Sequence, residues 1–155
     1  MSQGHIAVRS AGGHDLPALL PLCIEHAAYE RIGHALDRRS HALAAALDAT
    51  PPRVYAWLAW SGDDAVGYAT ATIDFSTLDA APFLHMDCLY VRDAWRGLGI
   101  GLRLFETLAA FARACACASM QWQTPAWNER AAHFYRRLGA TEWAKRRFTW
   151  RCDRA

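Results

Sequence analysis

A glycine-rich run in the second half of the chain has the composition of an anion-binding turn. It spans residues 96–101, follows the apolar residues 89–91, and precedes a long apolar segment. Glycine lets the backbone adopt left-handed conformations and lets a ligand approach without a Cβ in the way. The first N–H groups of a helix have no partner within the helix and can point at one anion. The sequence therefore predicts a strand, a pyrophosphate-binding turn and a helix in succession.

The spacing of the glycines distinguishes this turn from two other phosphate-binding loops. A nucleoside-triphosphate loop has G-x-x-x-x-G-K-[ST], and no Lys follows the glycines here. A dinucleotide-binding fold has G-x-G-x-x-G with an acid roughly 20 residues further on, but the region around Cys117 offers no carboxylate. The pattern that matches is Arg-x-x-Gly-x-Gly, formed by Arg96, Gly99 and Gly101. The alternative is a turn whose glycines only let a helix pack closely on a strand.

A second pattern begins at Asn128 and reads N-x-x-A-x-x-F-Y-x-x-L-G. Asn128, Ala131, Ala132 and Tyr135 recur at the i, i+3, i+4 and i+7 positions, so they line one face of a two-turn helix. Asn128 is suited to cap the start of this helix. Gly139 is suited to end it in a left-handed conformation. The pattern therefore predicts a short, capped helix.

Composition limits the classes to which the protein can belong. The chain has 155 residues, 53% of them hydrophobic, and we expect one domain over residues 1–155. No apolar run has the length of a membrane span and no signal pattern is found, so we expect a cytoplasmic protein that does not bind membranes. The net charge of +2 does not favour nucleic acid as a partner. The five cysteines lack C-x-x-C spacing, so we expect neither a disulfide framework nor a metal.

Hydrophobic periodicity predicts an alternation of strands and helices that would position the two patterns. The predicted strands are residues 5–10, 54–60, 65–73, 83–91 and 119–123, with a final strand or hairpin over 141–150. The predicted helices are residues 16–32, 40–48, 100–116 and 129–138. Because the segment 100–116 is apolar nearly all round, we expect sheet and cofactor to cover it.

Together the two patterns resemble the signatures of the GNAT superfamily of N-acetyltransferases. The C-terminal half is most similar to the spermidine/spermine, or diamine, N-acetyltransferases, and the segment Ala28-Tyr29-Glu30 is similar to the amine-binding segment of that group. The resemblance covers most of the chain and is most specific between Asp87 and Ala140. It implies an α/β fold with a central mixed sheet, flanked by helices, in which two parallel strands splay apart. In that fold the gap admits the pantetheine arm of coenzyme A.

The resemblance also implies the activity, which is acetyl-CoA-dependent N-acetylation of a small-molecule amine by direct transfer in a ternary complex. The acetyl-CoA-binding residues that it implies are Leu89, Tyr90, Val91, Arg96, Gly97, Leu98, Gly99, Ile100, Gly101, Asn128, Ala131 and Tyr135. The amine-binding residues that it implies are Tyr29, Glu30 and Asp87. A homodimer is expected by the same analogy.

The chemistry explains the catalytic roles that the resemblance implies. An alkylamine with a pKa near 10 is only ~0.1% neutral at pH 7, so forming the neutral, reactive amine costs ~4 kcal/mol. Asp87 is expected to activate the amine through a water molecule, and Tyr135 to protonate the thiolate of coenzyme A as it leaves. The backbone N–H of Leu89 is expected to polarise the acetyl carbonyl.

Several alternatives remain open at this level. The diamine group commonly has Glu where this chain has Asp87 and often has a second acid where it has Cys88, so the acceptor is left open among diamines, polyamines and amino-acid-like amines. The alternative for Asp87 is a strand-end residue whose carboxylate accepts hydrogen bonds from backbone N–H groups. The alternative for Tyr135 is a packing residue of the core. The alternative for Glu30 is a side chain on a solvated helix face. Acetylation of a protein or peptide is the alternative activity. A non-catalytic acyl-CoA sensor is the alternative of another class.

Overall fold

Five strands and four α-helices are found in residues 4–153, the part of the chain that the computed structural model describes. In chain order they are β1 (Ile6–Ala11), α1 (Leu16–Glu30), α2 (Leu36–Asp48), β2 (Tyr55–Ser61), β3 (Asp64–Ser76), β4 (Ala81–Val91), α3 (Ile100–Ala114), β5 (Met120–Gln121) and α4 (Glu129–Arg137). Contacts divide the chain into two compact units. The first ends at Gln123 and contains the sheet, and the second begins at Thr124 and contains α4. A single domain over residues 1–155 stays a prediction.

The sheet is mixed, as predicted, with the strands in the order β1-β2-β3-β4-β5. The first four strands pair antiparallel, and β4 pairs parallel with β5. The parallel pairing involves only Leu84 with Met120 and His85 with Gln121. In the described part of the chain, the second half of β4 therefore has no strand on its β5 side, as expected if these two strands diverge.

The core of the first unit lies where α1 packs on the sheet. Leu19 and Leu22 of α1 are fully buried in a cluster with Leu58 of β2 and Tyr68 of β3. Their spacing puts these leucines on one helix face, so burial of that face fixes which side of α1 meets the sheet. The remaining faces of α1 are then available to carry functional groups.

Helix α3 packs on the protein through one face. Its buried residues are Ile100, Leu104, Leu108 and Ala112, which recur every four positions and form one stripe. Leu102 of the same helix is exposed. The cover that a cofactor was expected to give the rest of this helix stays a prediction.

Other predicted boundaries were wrong in ways that have local causes. The helix predicted from residue 40 begins at Leu36, and Arg39 breaks it with a non-helical conformation. The helix predicted to reach residue 32 ends at Glu30, where Arg31 adopts a φ of 59°. The final strand predicted over residues 141–150 is absent, because strand formation needs a paired backbone and none is found for this segment in residues 4–153.

The described residues include no helix that combines the length and the apolar character needed to cross a membrane.

Replacing Gly67 by Ala tests the close approach of β3 to the end of β4. A Cβ on Gly67 would lie 2.9 Å from the carbonyl oxygen of Tyr90 and 3.3 Å from a methyl group of Val91. We expect Gly67→Ala to lower the free energy of unfolding by about 1–3 kcal/mol, the usual cost of overpacking, as measured by urea denaturation. Gly33→Ala is the control, because a Cβ there meets nothing within 4 Å. Equal stability of the two variants would contradict this packing.

Candidate functional site

The glycine-rich turn after β4 has the conformation that an anion-binding turn requires. Gly97 and Gly99 have φ angles of 77° and 78°, and a Cβ at either position would meet nothing within 4 Å. Gly99 is the N-cap of α3, and its carbonyl accepts the first helical hydrogen bond from Arg103 N at 3.1 Å. No side chain caps this end and no acidic residue lies in its first turn. The free amides and the positive end of the helix dipole thus suit a phosphate group.

Arg96, which the sequence pattern assigned to the cofactor, contacts neighbouring protein groups. Its Nε donates to the carbonyl oxygen of Val91 at 2.8 Å, and its Nη1 lies 3.3 Å from Asp93 Oδ1. The guanidinium also lies 4.4 Å from the ring centroid of Tyr29 and 5.5 Å from that of Tyr90. Arg96 therefore connects the turn to the end of α1, and its contact with a cofactor stays a prediction.

A β-bulge at Asp87 changes which backbone groups of β4 face β5. Met86 pairs with Ala71 and Cys88 pairs with Thr70, so Asp87 is an extra residue opposite β3. A bulge of this kind shifts the alternation of the strand by one position. The carboxylate of Asp87 is on an exposed residue. The bulge therefore places an acidic group where β4 leaves β5.

Hydrogen bonds on both sides of the bulge show that the backbone groups of β4 change direction there. Before it, Leu84 N donates to Ser119 O, beside β5, at 3.0 Å. After it, Arg92 N donates to Val66 O, in β3, at 2.9 Å. Since N–H and C=O groups alternate in direction along a strand, those of Leu89 point to the side that β5 leaves uncovered.

The backbone groups of Val91 point to the same uncovered side, and those of Tyr90 face β3. Leu89 and Val91 thus direct backbone groups to the edge that the described strands leave uncovered, and their contact with a cofactor stays a prediction. The carbonyl of Val91 already accepts from Arg96. Tyr90, which was also assigned to the cofactor, offers its backbone to β3 instead.

Two half-buried thiols and a buried hydroxyl lie close together beside Asp87. Cys88 Sγ is 3.7 Å from Asp87 Oδ2. Burial raises the pKa of Cys88 to about 12, and the neighbouring Asp87 carboxylate adds to this shift. Burial also raises the pKa of Cys23 and of Tyr68, whose hydroxyl lies within hydrogen-bonding reach of both thiols. These groups therefore stay protonated at neutral pH and can donate hydrogen bonds.

The end of α1 brings the predicted amine-binding residues to the same region. The Tyr29 ring lies 6.3 Å from the Tyr90 ring of β4. Glu30 Oε1 is 3.2 Å from Nε2 of His26, one helical turn earlier. His26 itself is buried, and its Nδ1 is 2.7 Å from the Tyr68 hydroxyl. The i, i+4 spacing of His26 and Glu30 is the signal in the sequence for this contact.

An ion pair fixes α1 to Arg92, the residue that follows β4. Arg92 Nη2 and Nε donate to the two oxygens of Glu25 at 2.8 and 3.0 Å, and Nη1 donates to the Ala65 carbonyl at 3.0 Å. A bidentate pair holds both side chains in one geometry. The guanidinium of Arg92 therefore contacts both α1 and β3.

In the second unit, α4 has the caps that the sequence predicted. The Asn128 side chain accepts from Ala131 N at 3.1 Å. At the other end Gly139 has a φ of 87°, Gly139 N donates to Arg136 O, and Ala140 N donates to Tyr135 O. This is a Schellman motif. The capped helix is confirmed.

Tyr135 lies in the last turn of α4, with its ring 5.4 Å from that of Phe134. Tyr135, Asn128 and Ala131 belong to the second unit, whereas Asp87 and the glycine-rich turn belong to the first. Their roles at one site stay predictions. Within residues 4–153 no group of three or more His, Cys, Asp or Glu side chains is arranged to hold a metal ion.

Comparisons with known proteins agree with this geometry. The family model described as "Acetyltransferase (GNAT) family" matches residues 22–140. The bovine (Bos taurus) thialysine N-epsilon-acetyltransferase is 26% identical over 157 residues, which cover 96% of this chain and 91% of that protein. The human (Homo sapiens) spermidine/spermine N(1)-acetyltransferase-like protein 1 is 26% identical over 147 residues, but the match spans only 21% of that protein.

A solved structure shows the same fold at low sequence identity. The aminoglycoside N-acetyltransferase AAC(6')-Iy, in complex with CoA, superposes with a TM-score of 0.82 and 20% identity, covering 98% of this chain and 99% of that one. The fold of this chain is therefore a known architecture. Because the family model matches most of the sequence, the chain belongs to the GNAT family of acetyltransferases.

Proposed function

We propose that this protein transfers the acetyl group of acetyl-CoA to a primary amine of a small molecule, by direct transfer in a ternary complex. The acceptor is a diamine, a polyamine or an amino-acid-like amine. The observation that carries this proposal is the start of α3, where Gly97 and Gly99 have positive φ angles and no side chain caps or neutralises the helix end. This end follows directly on the uncovered half of β4 in a chain of the GNAT family.

Acetyl-CoA would be bound through backbone groups. The amides of residues 97–101 would contact the diphosphate, and Leu89 and Val91 would pair with the pantetheine arm as an added strand does. Arg96 would support the turn through Val91 and Tyr29, and the fixed turn would cost little ordering when the cofactor binds. Asn128 and Ala131 would contribute from α4.

The acceptor would bind at the end of α1, where the side chains suit a cation. Glu30 and Asp87 supply carboxylates, and Tyr29 supplies an aromatic face. A carboxylate and an aromatic ring both favour an ammonium group over a neutral or acidic one. This set of side chains therefore supports an amine that carries charge beyond its reacting nitrogen.

Three groups would carry the chemistry. Asp87 would orient the water that takes the proton from the attacking amine. The Asp side chain is shorter than the Glu that the diamine group commonly has at this position, so a water would span the distance between its carboxylate and the amine. The N–H of Leu89 would stabilise the negative charge that develops on the acetyl oxygen. Tyr135 would donate its phenolic proton to the departing sulfur. Acetyl-CoA supplies the activated acetyl thioester.

The names of the relatives support an amine acceptor without fixing which one. The bovine relative is named for thialysine and the human one for spermidine and spermine, all three of which are amines. We include in the proposal a homodimer, on the family resemblance, together with the cytoplasmic location and the single domain over residues 1–155 that the sequence predicts. Light scattering of the purified protein tests the dimer.

A substrate panel tests the proposed activity. Free diamines, monoamines and amino acids would be compared with peptides, with release of the coenzyme A thiol as the readout. We expect turnover with small amines and little with peptides. Turnover with peptides alone would favour the protein acetyltransferase, and binding of CoA without turnover on any acceptor would favour the sensor.

Gly99→Ala tests the cofactor turn. A left-handed conformation costs a residue with a Cβ roughly 1–2 kcal/mol, so we expect the variant to bind CoA about tenfold more weakly by calorimetry, which corresponds to ~1.4 kcal/mol. Gly62→Ala is the matched control, because Gly62 has a φ of 60° in the β2–β3 turn and an equally open Cβ position. The turn assignment is wrong if both variants bind CoA like the wild type.

Tyr135→Phe tests the proposed acid. We expect kcat to fall at least tenfold, since general acid catalysis contributes about 100-fold or more, while the Kd for CoA stays within twofold. Tyr55→Phe serves as the control, because Tyr55 packs against Trp57 and Phe111 in the first unit. Unchanged turnover in Tyr135→Phe would remove this phenol from the mechanism.

A further inference from the structure

A buried histidine joins the hydroxyl of β3 to the carboxylate at the end of α1. His26 Nδ1 lies 2.7 Å from the Tyr68 hydroxyl, and its Nε2 lies 3.2 Å from Glu30 Oε1. We infer that His26 is a positioning residue, which fixes the Glu30 carboxylate to receive the second ammonium group of a diamine acceptor. This role rests on the proposed function, because it requires that the chain acetylate amines.

The chemistry of the partners determines the direction of the hydrogen bonds. An ionised carboxylate only accepts, so a ring proton on His26 Nε2, 3.2 Å from Glu30 Oε1, makes this contact favourable. In the neutral ring Nδ1 is then an acceptor, which the Tyr68 hydroxyl satisfies. Burial raises the pKa of Tyr68, so the hydroxyl keeps its proton. The donors thus run in one direction, from Tyr68 through His26 to Glu30.

Packing holds the histidine ring in place. Its ring stacks on Tyr90 at 5.2 Å, with 21° between the planes, and meets the Tyr68 ring edge-on at 5.7 Å. A free glutamate side chain has rotamer freedom worth up to ~2 kcal/mol when it is lost. Because His26 already restricts Glu30, less of this cost remains when a ligand binds.

Glu25 and Glu30, on the same helix, have different surroundings. Glu25 is paired with the Arg92 guanidinium, which cancels its charge. The Glu30 side chain remains 22% exposed, and the contact with His26 uses one of its two oxygens. Glu30 is therefore a fixed, reachable anion at the end of α1.

The second carboxylate decides the class of acceptor. Asp87 lies on the bulge of β4, three residues before Tyr90, whose ring stacks on that of His26. An acceptor that presents its reacting nitrogen to Asp87 would present a second cation to Glu30. This favours diamines over monoamines that have the same carbon chain.

Paired substrates test the inference. The wild type would be assayed with 1,4-diaminobutane and n-butylamine, and with 1,5-diaminopentane and n-pentylamine. We expect a lower KM for each diamine. In His26→Leu we expect the diamine KM to rise about tenfold, equivalent to ~1.4 kcal/mol, with kcat and the monoamine KM within twofold of wild type. His26→Gln should retain most of the diamine preference, because its amide can donate to Glu30 and accept from Tyr68.

A double-mutant cycle separates positioning from simple structural support. If His26 acts through Glu30, His26→Leu has no further effect on the diamine KM in the Glu30→Gln background. A merely structural role would raise both KM values, lower kcat with the monoamines, and persist in that background. Should His26→Leu fail to fold, His26→Asn takes its place, since its shorter amide cannot span both partners.

The two proposals fail in different ways. A wild type that releases no thiol with any amine overturns the proposed function and, with it, the role of His26. A wild type that acetylates diamines and monoamines with equal KM values overturns the role of His26 alone. An unchanged diamine KM in a folded His26→Leu or His26→Asn variant has the same consequence.

Discussion

The backbone hydrogen bonds of β4 are the constraint on which the site depends. One edge of this strand pairs with β3 along its length, whereas the other pairs with β5 only at Leu84 and His85. The bulge at Asp87 then turns the polar groups of Leu89 toward the uncovered side. Unpaired backbone groups of this kind require a partner. An extended ligand that follows β4 to the start of α3 would supply one, and the pantetheine diphosphate of the proposed cofactor has this form.

The position of α1 follows from the same strand. Leu19 and Leu22 bury one face of the helix on the sheet, and Glu25 is paired with Arg92 just after β4. His26 then connects Tyr68 and Glu30. Cofactor turn and acceptor residues are thus held against one strand, so a change in the packing of β4 would affect both.

Local turn chemistry made part of the site predictable. Gly99 and Gly139 adopt left-handed conformations, which glycine accepts because it has no Cβ. Asn128 caps α4, because its side-chain oxygen can accept from a backbone N–H of the first turn. The mixed sheet also followed from periodicity and resemblance. The contacts of His26 and Arg92 could not be predicted, since their partners lie 42 and 67 residues away in sequence. The absent strand at residues 141–150 has the same cause, because a strand depends on a partner that its own sequence does not specify.

Amide hydrogen exchange, followed residue by residue by NMR with and without CoA, tests whether the cofactor binds along the uncovered edge of β4 and at the glycine-rich turn. We expect CoA to slow exchange at the N–H of Leu89 and at the amides of residues 97–101. We expect no slowing in β2, which lies two strands away in the sheet. Saturating CoA that leaves the exchange of Leu89 and the glycine-rich turn unchanged would contradict this mode of binding.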